Sequence, residues 1–345
     1  MIEMRSDTFT LPTAAMITAM ASAELGDDVY GEDPTVRRLE EEAAALVGKE
    51  SACLMPSGTM ANLCALLAQA PRGTKAVVGN ESDIYLYEAG GAAVCGGVVY
   101  APVATRPNGE LALADLDAEF PDEPEDPQFA LPAVVCVENT HNRCGGRVLA
   151  KDYLDELRHF ADARRVALHL DGARLFNAAV ASGRSAADIA AVADTVQFCL
   201  SKGLGAPVGS ILAGSHDVLV RARRLRKMLG GGMRQAGVLA AAGRLALTTM
   251  TDRLAEDHEH ARRLAEGLAD IPGVLIGLET VETNIVLFRI APERMGWQRF
   301  VDEVGEQGLA VAGFGHDRVR AVTHHGIGAA EVDRAIGVVA RVLAR

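Results

Sequence analysis

The sequence predicts an α/β protein whose central sheet is mainly parallel. Across the middle of the chain, short apolar segments rich in β-forming residues alternate with helical segments. The apolar segments cover residues 134–142, 166–176, 195–203 and 208–214, and helices are expected from Lys151 to about Arg164 and near residues 186–193. Such alternation is typical of βαβ units, in which helices cover both faces of a parallel sheet.

Length and a change of character towards the C-terminus predict two domains. The chain has 345 residues, of which 49% are hydrophobic and 23% charged, and this is enough to bury a large core. A long charged helix over residues 251–270 is followed by shorter strands at residues 284–290 and 319–325. We expect a large domain over residues 1–248, with an N-terminal arm, and a small α+β domain over residues 249–345.

Charge and cysteine content exclude several classes of protein. A formal net charge of -12 disfavours a nucleic-acid partner, because such proteins neutralise phosphates with Lys and Arg. The N-terminus carries charges from its third residue, and no apolar run approaches the length of a membrane-spanning helix. The six cysteines form no CxxC pair, which indicates reduced thiols rather than disulfides or a zinc site. We therefore expect a cytoplasmic protein with no nucleic-acid partner, no membrane contact and no metal.

Two helices are expected ahead of the alternating region. The first has Asp33 as its N-cap and Pro34 at its first helical position, and it ends near Gly48. Its apolar face comprises Val36, Leu39, Ala43 and Leu46. The second follows a Pro-Ser-Gly-Thr turn at residues 56–59, where free N–H groups and the positive end of the helix dipole can bind phosphate. Small-residue turns before helices are common, so this turn alone indicates only a helix start.

Lys202 stands where an apolar segment ends, directly before a glycine turn. Most lysines are solvated surface charges whose stems cover apolar neighbours. A lysine leaving a buried strand is instead partly desolvated, which lowers the pKa of its amine and favours the neutral form that attacks carbonyls. This position therefore predicts covalent chemistry at Lys202.

Polar side chains cluster at the predicted carboxyl ends of the strands, where ligands bind in parallel α/β sheets. These residues are Glu138, His141, Asp171, Arg174 and Lys202. A lysine Schiff base needs an electron sink, and pyridoxal phosphate is one when a carboxylate keeps its ring nitrogen protonated. Asp171 and Lys202 on neighbouring strands supply both groups. The alternative for Asp171 is a local cap before Ala173, but its combination with Lys202 favours the cofactor role.

Several motifs spread over essentially the whole chain are shared with one known family. They are RSDTFTLP at Arg5, GDDVYGEDPTV at Gly26, PSGTMANL at Pro56, YEAGGAA at Tyr87, ENTHN at Glu138, HLDGARLFNA at His169, CLSKGLGAPVGS at Cys199, RKMLGGGMRQAG at Arg226 and VRAVTHH at Val319. On these motifs the chain resembles the low-specificity L-threonine aldolases, pyridoxal-phosphate enzymes of fold type I, the aspartate aminotransferase group. The resemblance implies a fold-type I large domain followed by a small C-terminal domain.

The resemblance also implies which residues bind the cofactor. Lys202 would carry it as a Schiff base, Asp171 would pair with the pyridine nitrogen, and Gly58 and Thr59 would bind its phosphate. Arg234 resembles a residue that family members contribute from a neighbouring subunit. The remaining cofactor contacts implied by position are Arg174 and Asp83.

A second set of residues would bind the substrate. The positions that match those holding the substrate carboxylate are Ser6, Arg174 and Arg320, and His141, Tyr30 and Glu88 fit the same pocket. Arginine suits this task because its planar fork can bind a carboxylate in bidentate fashion. The alternative for each arginine is a surface ion pair, and for His141 a structural role. With an ordinary pKa near 6.5, a histidine could accept or relay the proton of the β-hydroxyl. His169 and Arg5 are expected to be structural.

Asp83 departs from the family pattern. Family members commonly carry at this position a histidine whose ring stacks on the cofactor, whereas this chain reads GNESDIYLYEAGG. A carboxylate cannot stack as an aromatic ring does. It either places a second negative charge near the ring or turns outward to solvent.

The resemblance implies retro-aldol cleavage of L-threonine, L-allo-threonine and related β-hydroxy-α-amino acids to glycine and an aldehyde. It also implies a homotetramer built from dimers that share active sites. Asp83 leaves a β-eliminating lyase or an amino-acid racemase as alternatives with the same cofactor. A binding protein that kept the fold and lost the chemistry is the alternative from a different class.

Overall fold

The computed structural model describes residues 1–344. The strands are β1 (Ile2–Glu3), β2 (Ser51–Met55), β3 (Lys75–Gly79), β4 (Val99–Val103), β5 (Pro132–Glu138), β6 (Ala167–Asp171), β7 (Thr195–Cys199), β8 (Ser210–Gly214), β9 (Val274–Leu275), β10 (Ile285–Ile290), β11 (Leu309–Ala310), β12 (Ala312–Gly313) and β13 (Arg318–Val322). The α-helices are α1 (Ala14–Ala21), α2 (Pro34–Leu46), α3 (Gly58–Gln69), α4 (Asp83–Leu86), α5 (Leu113–Asp117), α6 (Lys151–Arg164), α7 (Leu175–Ser182), α8 (Ala186–Ala190), α9 (His216–Met228), α10 (Gly237–Leu245), α11 (Leu254–Ala269), α12 (Trp297–Glu306) and α13 (Ala329–Leu343).

Seven strands form the main sheet, in the order β2-β8-β7-β6-β5-β3-β4. The strands from β7 to β4 run parallel, and β8 is antiparallel to both of its neighbours. Helices α3 and α9 pack on one face of the sheet, and α2, α6 and α10 contribute to the core on the other. The prediction of an α/β fold with a mainly parallel sheet is confirmed.

The helices expected from the sequence form for the reasons given by their residues. In α2 the side chain of Asp33 accepts the backbone N–H groups of Thr35 and Val36, and Pro34 opens the helix. The expected apolar face is buried at Val36, Leu39 and Ala43. Leu46, however, is 40% exposed, and the next residue, Val47, is buried in its place.

Helix α7 lies in a segment that the sequence pattern predicts to be a strand. The segment 166–176 was interpreted as a strand, but β6 ends at Asp171 and α7 begins at Leu175. The N–H group of Ala173 donates to the Asp171 side chain, which turns the backbone away from the sheet at this point. This turn sets the position of Arg174 just ahead of α7.

A second hydrophobic core lies in the C-terminal part of the chain. Four antiparallel strands, β12-β13-β10-β9, pack with α11, α12 and α13 around it. The N-terminal strand β1 pairs with β11, and Met4 is buried in this second core. The division at residues 248 and 249 stays a prediction, since α11 contributes Leu254 to the first core and its later residues to the second. Of the helices within residues 1–344, none is long and apolar enough to cross a membrane.

Candidate active site

The carboxyl ends of the parallel strands bring together residues that are distant in sequence. Glu138 and Asp171 are the last residues of β5 and β6, and the pairing register places them side by side. Lys202 lies three residues beyond the end of β7, and Asp83 begins α4 shortly after β3. Gly58 begins α3 directly after β2. The convergence expected from the sequence is therefore present.

Asp171 is held by hydrogen-bond donors at the bottom of the site. Its side chain is 2% exposed. One carboxylate oxygen accepts Gln197 Nε2 at 2.5 Å and the backbone N–H of Ala173 at 3.0 Å, and the other accepts Asn62 Nδ2 at 2.8 Å. Burial and the nearby Asp83 raise the pKa of Asp171, whereas Lys202 and the two amides oppose that rise. The local bond to Ala173 coexists with a buried carboxylate that faces the site.

We call this arrangement the floor cluster. It comprises Asp171, Asn62, Gln197, His169 and Thr195. His169 Nε2 lies 2.9 Å from Asn62 Oδ1, and His169 Nδ1 lies 2.8 Å from Thr195 Oγ1. Every buried side-chain nitrogen and oxygen atom of the floor cluster has a hydrogen-bond partner.

Lys202 is only partly exposed, as expected, but the expected direction of its pKa shift is wrong. Burial lowers the pKa of this amine, yet Cys199, Asp83 and Asp7 together outweigh burial and hold it above its ordinary value. The largest of these opposing contributions comes from Cys199, in the local sequence, whereas Asp83 and Asp7 come from other segments of the chain.

The first turn of α3 has the geometry of an anion site. Ser57 caps the helix by accepting the N–H of Met60, while the N–H groups of Gly58 and Thr59 lie in the first turn, where no helical acceptor exists. A Cβ atom on Gly58 would lie 3.0 Å from Cys199 Sγ. Glycine is therefore needed for the close approach of this turn to the sheet.

Arg174 is paired inside the protein. Its Nε and Nη2 donate to the two carboxylate oxygens of Asp7 at 2.7 and 2.8 Å, and both side chains are buried. Although burial opposes both charges, the ion pair lowers the pKa of Asp7 and raises the pKa of Arg174. This bidentate pair occupies two of the donors that a substrate carboxylate would need.

Arg320 retains more free capacity for an anion. Its Nη1 donates to Asn142 Oδ1 at 2.8 Å and its Nη2 to the backbone oxygen of Arg5 at 2.9 Å, while its Nε is buried with no partner. The guanidinium lies 4.1 Å from the centre of the Phe314 ring. Burial and the neighbouring Arg174 lower the pKa of Arg320 to about 10. No carboxylate is bonded to this cation within residues 1–344.

Asp83 is anchored within the site. Both of its carboxylate oxygens accept Asn142 Nδ2, at 3.1 and 3.2 Å, so one amide joins Asp83 to Arg320. Its backbone N–H donates to Glu138 Oε2 at 2.8 Å, and Glu138 Oε1 accepts the N–H of Asn142 at 2.7 Å. Burial and Asp83 raise the pKa of Glu138 well above its ordinary value.

His141 completes what we call the rim cluster. This cluster comprises Asp83, Asn142, Glu138, His141 and Arg320. The His141 side chain is 1% exposed, and its Nδ1 has no hydrogen-bond partner. Burial lowers the pKa of His141 to about 4, so the ring is neutral near pH 7 and is a weak base there.

Two more of the expected substrate residues lie beside these clusters. Glu88 Oε1 accepts Asn62 Nδ2 at 2.8 Å, and burial next to Asp171 raises the pKa of Glu88 to about 9. Ser6 Oγ accepts the backbone N–H of Thr8 at 3.2 Å and so caps a short 3-10 turn. The adjacent Arg5 carbonyl is the group that binds Arg320.

Tyr30 and Arg234 are not joined to either cluster in the single chain. The Tyr30 side chain is 76% exposed. Arg234 Nη1 binds Asp27 at 2.9 Å, and the Arg234 carbonyl accepts the N–H of Asp28 at 2.9 Å. Both residues therefore belong to one pair of exposed loops, whose side chains are available to a second chain.

Sequence reasoning missed the side chains that hold the site together. These are Asp7, Asn62, Asn142 and Gln197. Two of them carried a signal, because Gln197 is the polar residue in the middle of a buried strand and Asn62 lies one helical turn after Gly58. A cavity of about 970 Å³ between β1 and α13 is lined by none of the candidate cofactor or substrate residues.

Comparisons with known proteins show which sequences and folds this chain is similar to. The family model described as beta-eliminating lyase matches residues 3–291. A low specificity L-threonine aldolase of Escherichia coli strain K12 is 47% identical over 293 residues, which cover 85% of this chain and 86% of that protein. An alanine racemase of Cochliobolus carbonum, TOXG, is 34% identical over 347 residues, 97% of this chain and 86% of its own. A solved structure of a Leishmania major threonine aldolase matches with a TM-score of 0.80 and 22% identity over 98% of both chains, and so shares the fold.

Proposed function

This chain belongs to the low-specificity L-threonine aldolase family of beta-eliminating lyases, and on that premise we propose that it cleaves L-threonine, L-allo-threonine and related β-hydroxy-α-amino acids to glycine and an aldehyde. The observation that carries this proposal is the convergence of Lys202 with the buried carboxylate of Asp171 at adjacent strand ends. The enzyme is a lyase that depends on pyridoxal 5′-phosphate.

The residues of the site fit this cofactor. Asp171 is a buried carboxylate held by three donors, as a partner for the ring nitrogen must be. Gly58 and Thr59 would hold the phosphate with the N–H groups of the first turn of α3, which have no helical acceptor. Lys202 would carry the covalent link. When bound, the cofactor supplies an electron sink for the pair released as the Cα–Cβ bond breaks.

Arg320 is the residue best suited to bind the substrate carboxylate. It is a partly buried cation with an unpartnered Nε and no carboxylate bonded to it. Arg174 keeps its Nη1 free while Asp7 occupies the rest of its fork, so it would make a second, single contact. Ser6 lies in the same N-terminal arm, next to the Arg5 carbonyl that orients Arg320.

His141 is the residue proposed to take the proton of the β-hydroxyl, directly or through a water molecule. In the neutral ring, the unpartnered Nδ1 is a vacant acceptor atom for this proton. Asp83 lies close enough to raise the pKa of His141, so its charge would stabilise the protonated ring. Glu88 and Tyr30 would complete the pocket, Glu88 from the same chain and Tyr30 from the exposed loop of a neighbouring chain.

We propose that the enzyme is a homotetramer built from two dimers, and that the two chains of a dimer share active sites. Arg234 would reach the cofactor phosphate of a neighbouring chain, because in its own chain it lies on an exposed loop with Asp27. Several large apolar side chains are exposed in the single chain, among them Leu11, Ile17, Leu25, Tyr30 and Met228. If sites are shared, Arg234→Ala should be inactive, and mixing it with inactive Lys202→Ala should restore about a quarter of wild-type activity. If they are not, Arg234→Ala alone should keep its activity and mixing should add none.

A cytoplasmic location is part of the same proposal. All six cysteines are free thiols, and four of them are buried. Such thiols are typical of reducing compartments, where disulfides are rare.

The test of the proposed function is product analysis. Purified protein is incubated with L-threonine, L-allo-threonine and phenylserine, and glycine, aldehyde, keto acid and ammonia are quantified by chromatography. Glycine and aldehyde in equal amounts are expected. Ammonia and a keto acid without glycine would instead establish β-elimination, and conversion of L-alanine to D-alanine would establish racemisation.

The racemase is the alternative with a specific observation in its favour, because a relative 34% identical to this chain bears that name. Running Asp83→His beside the wild type shows whether this residue selects the reaction. An unchanged product profile in both proteins would remove Asp83 as a reason for doubting threonine cleavage.

A further inference from the structure

His169 is the residue of the site whose role the reaction leaves unexplained. It lies in the middle of β6, is fully buried, and is hydrogen-bonded to two uncharged side chains, those of Asn62 and Thr195. A buried imidazole with both ring nitrogens bonded has no unpaired polar atom, and such a satisfied network fixes the orientation of the groups that it joins. The hydrogen bonds around it have only one consistent direction.

The direction follows from the orientation of the Asn62 amide. Asn62 Nδ2 lies 2.8 Å from a carboxylate oxygen of Asp171 and 2.8 Å from Glu88 Oε1. An amide oxygen on this side would face the acceptor oxygen of Asp171, so the NH₂ group lies here and Asn62 Oδ1 points the other way, to His169 Nε2 at 2.9 Å. His169 must therefore carry its proton on Nε2 and donate it to Asn62.

The other side of the ring agrees with this tautomer. His169 Nδ1 is then an acceptor, and the Thr195 hydroxyl donates to it over 2.8 Å. The Thr195 oxygen in turn accepts Gln69 Nε2 at 2.8 Å. Burial lowers the pKa of His169 to about 3, so the ring is neutral near pH 7. Each group in this chain has one assigned donor and one assigned acceptor.

We propose that His169 is a positioning residue, which locks the Asn62 amide so that its NH₂ group faces Asp171 and keeps that carboxylate charged for the cofactor's ring nitrogen. The inference rests on the proposed cofactor site and adds the element that sets its charge. Without the His169 donor, the Asn62 amide can rotate and present its oxygen to the carboxylates. Asp171, which is buried near Asp83, would then take up a proton more readily.

The histidine variants separate this role from simple packing. His169→Gln can place an amide N–H near the position of Nε2 and should keep the bond to Asn62. His169→Asn has the same chemistry but a shorter side chain, which reaches Thr195 and not Asn62. His169→Leu removes both bonds. A matched control is His258→Leu. His258 is a partly buried histidine outside the floor cluster, and like His169 it is bonded to an asparagine, with its Nε2 3.1 Å from Asn177 Nδ2.

Two measurements on the purified full-length holoenzyme test the proposal. The first is the dissociation constant of pyridoxal 5′-phosphate, expected to rise about 10- to 100-fold in His169→Asn and His169→Leu, as for loss of a bond to a charged group. The second is the ¹⁵N NMR shift of ring-labelled cofactor, expected to move towards that of an unprotonated nitrogen. His169→Gln and His258→Leu should match the wild type in both.

A wild-type shift and affinity in His169→Asn would overturn the inference, as would equal losses in His169→Gln and His169→Asn, because packing alone would then explain them. If His169→Leu fails to fold, the asparagine and glutamine variants still decide the question. A wild-type protein that forms no bond between Lys202 and the cofactor would instead overturn the proposed function, and this inference with it. The two failures are therefore distinguishable.

Discussion

The floor cluster and the rim cluster meet at the ends of β5 and β6, where Asp171 lies beside Glu138. They differ in whether their buried side-chain atoms have hydrogen-bond partners. In the floor cluster every buried side-chain donor and acceptor is paired. In the rim cluster His141 Nδ1 and Arg320 Nε are buried without partners, and so are Asn139 Nδ2 and Thr140 Oγ1 nearby. Unpaired buried polar groups are costly and therefore rare.

This difference separates two tasks. A resident cofactor needs one fixed charge at one position, which a saturated network supplies. A substrate that arrives and leaves needs donors that are vacant beforehand, and these are the atoms that the rim cluster leaves unpaired. Variants of the floor cluster should therefore affect cofactor binding, and variants of the rim cluster should affect substrate binding.

The largest expected effect comes from Lys202, the residue that would hold the cofactor covalently. Lys202→Ala should lower kcat by about a thousandfold or more, because no other amine at the site can form the covalent link. Borohydride reduction followed by peptide mass spectrometry should attach the cofactor to Lys202 in the wild type and to no residue in the variant. Unchanged turnover in a folded Lys202→Ala protein would contradict the whole assignment.

Arg320 gives the next largest effect and tests the rim cluster directly. Arg320→Gln should raise KM for L-threonine about 10- to 100-fold, since it removes a charged partner of the substrate carboxylate. The dissociation constant of the cofactor should stay within about twofold of the wild-type value. Arg318→Gln is the matched control on the same strand, since Arg318 binds only backbone carbonyls.

The comparison itself would break if Arg320→Gln lost the cofactor while KM stayed constant. The two clusters would then form one unit, and the division between fixed and vacant hydrogen bonds would have no functional meaning. Equal changes in KM for Arg320→Gln and Arg318→Gln would show instead that surface charge, not a specific contact, attracts the substrate.

Asp83 should have a smaller, two-part effect. Asp83→Asn weakens the anchoring of Asn142 and, through it, of Arg320, so KM should rise about 3- to 10-fold. It also removes a charge that raises the pKa of Lys202, so the amine should lose its proton at lower pH. Stopped-flow absorbance of cofactor addition to the apoprotein across a pH series measures this second effect. A profile that moved to higher pH would contradict the assigned electrostatics.

Part of this architecture could be predicted from sequence and part could not. The alternation of strands and helices placed Glu138, Asp171 and Lys202 at strand ends, because carboxyl ends of parallel strands share one edge. The contact between Asn62 and Asp171 joins segments 109 residues apart, and no local pattern encodes it. The raised pKa of Lys202 was mispredicted for the same reason. Its local sequence contains the burial and Cys199, whereas Asp83 and Asp7, which also raise the pKa, come from other segments.

The smallest predicted effect concerns Glu88, which is bonded to Asn62 of the floor cluster. Glu88 and Asp171 share the NH₂ group of Asn62, and burial beside Asp171 raises the pKa of Glu88 to about 9 from an ordinary value of 4.5. A carboxyl group whose pKa is higher in the folded protein than in the unfolded chain stabilises the fold fully only below pH 4.5. That contribution is lost as pH rises towards 9, because unfolding then releases a proton.

Glu88→Gln keeps the shape of a neutral carboxylic acid at every pH and removes this penalty. The variant apoprotein should melt about 2 to 4 °C above the wild type at pH 8, and the difference should vanish near pH 4.5. Differential scanning fluorimetry across this range measures it, with Glu266→Gln on the exposed face of α11 as the matched control. A variant no more stable than wild type at pH 8 would mean that Glu88 is ionised there. The NH₂ group of Asn62 would then be bonded to two charged carboxylates, those of Glu88 and Asp171, which we do not expect.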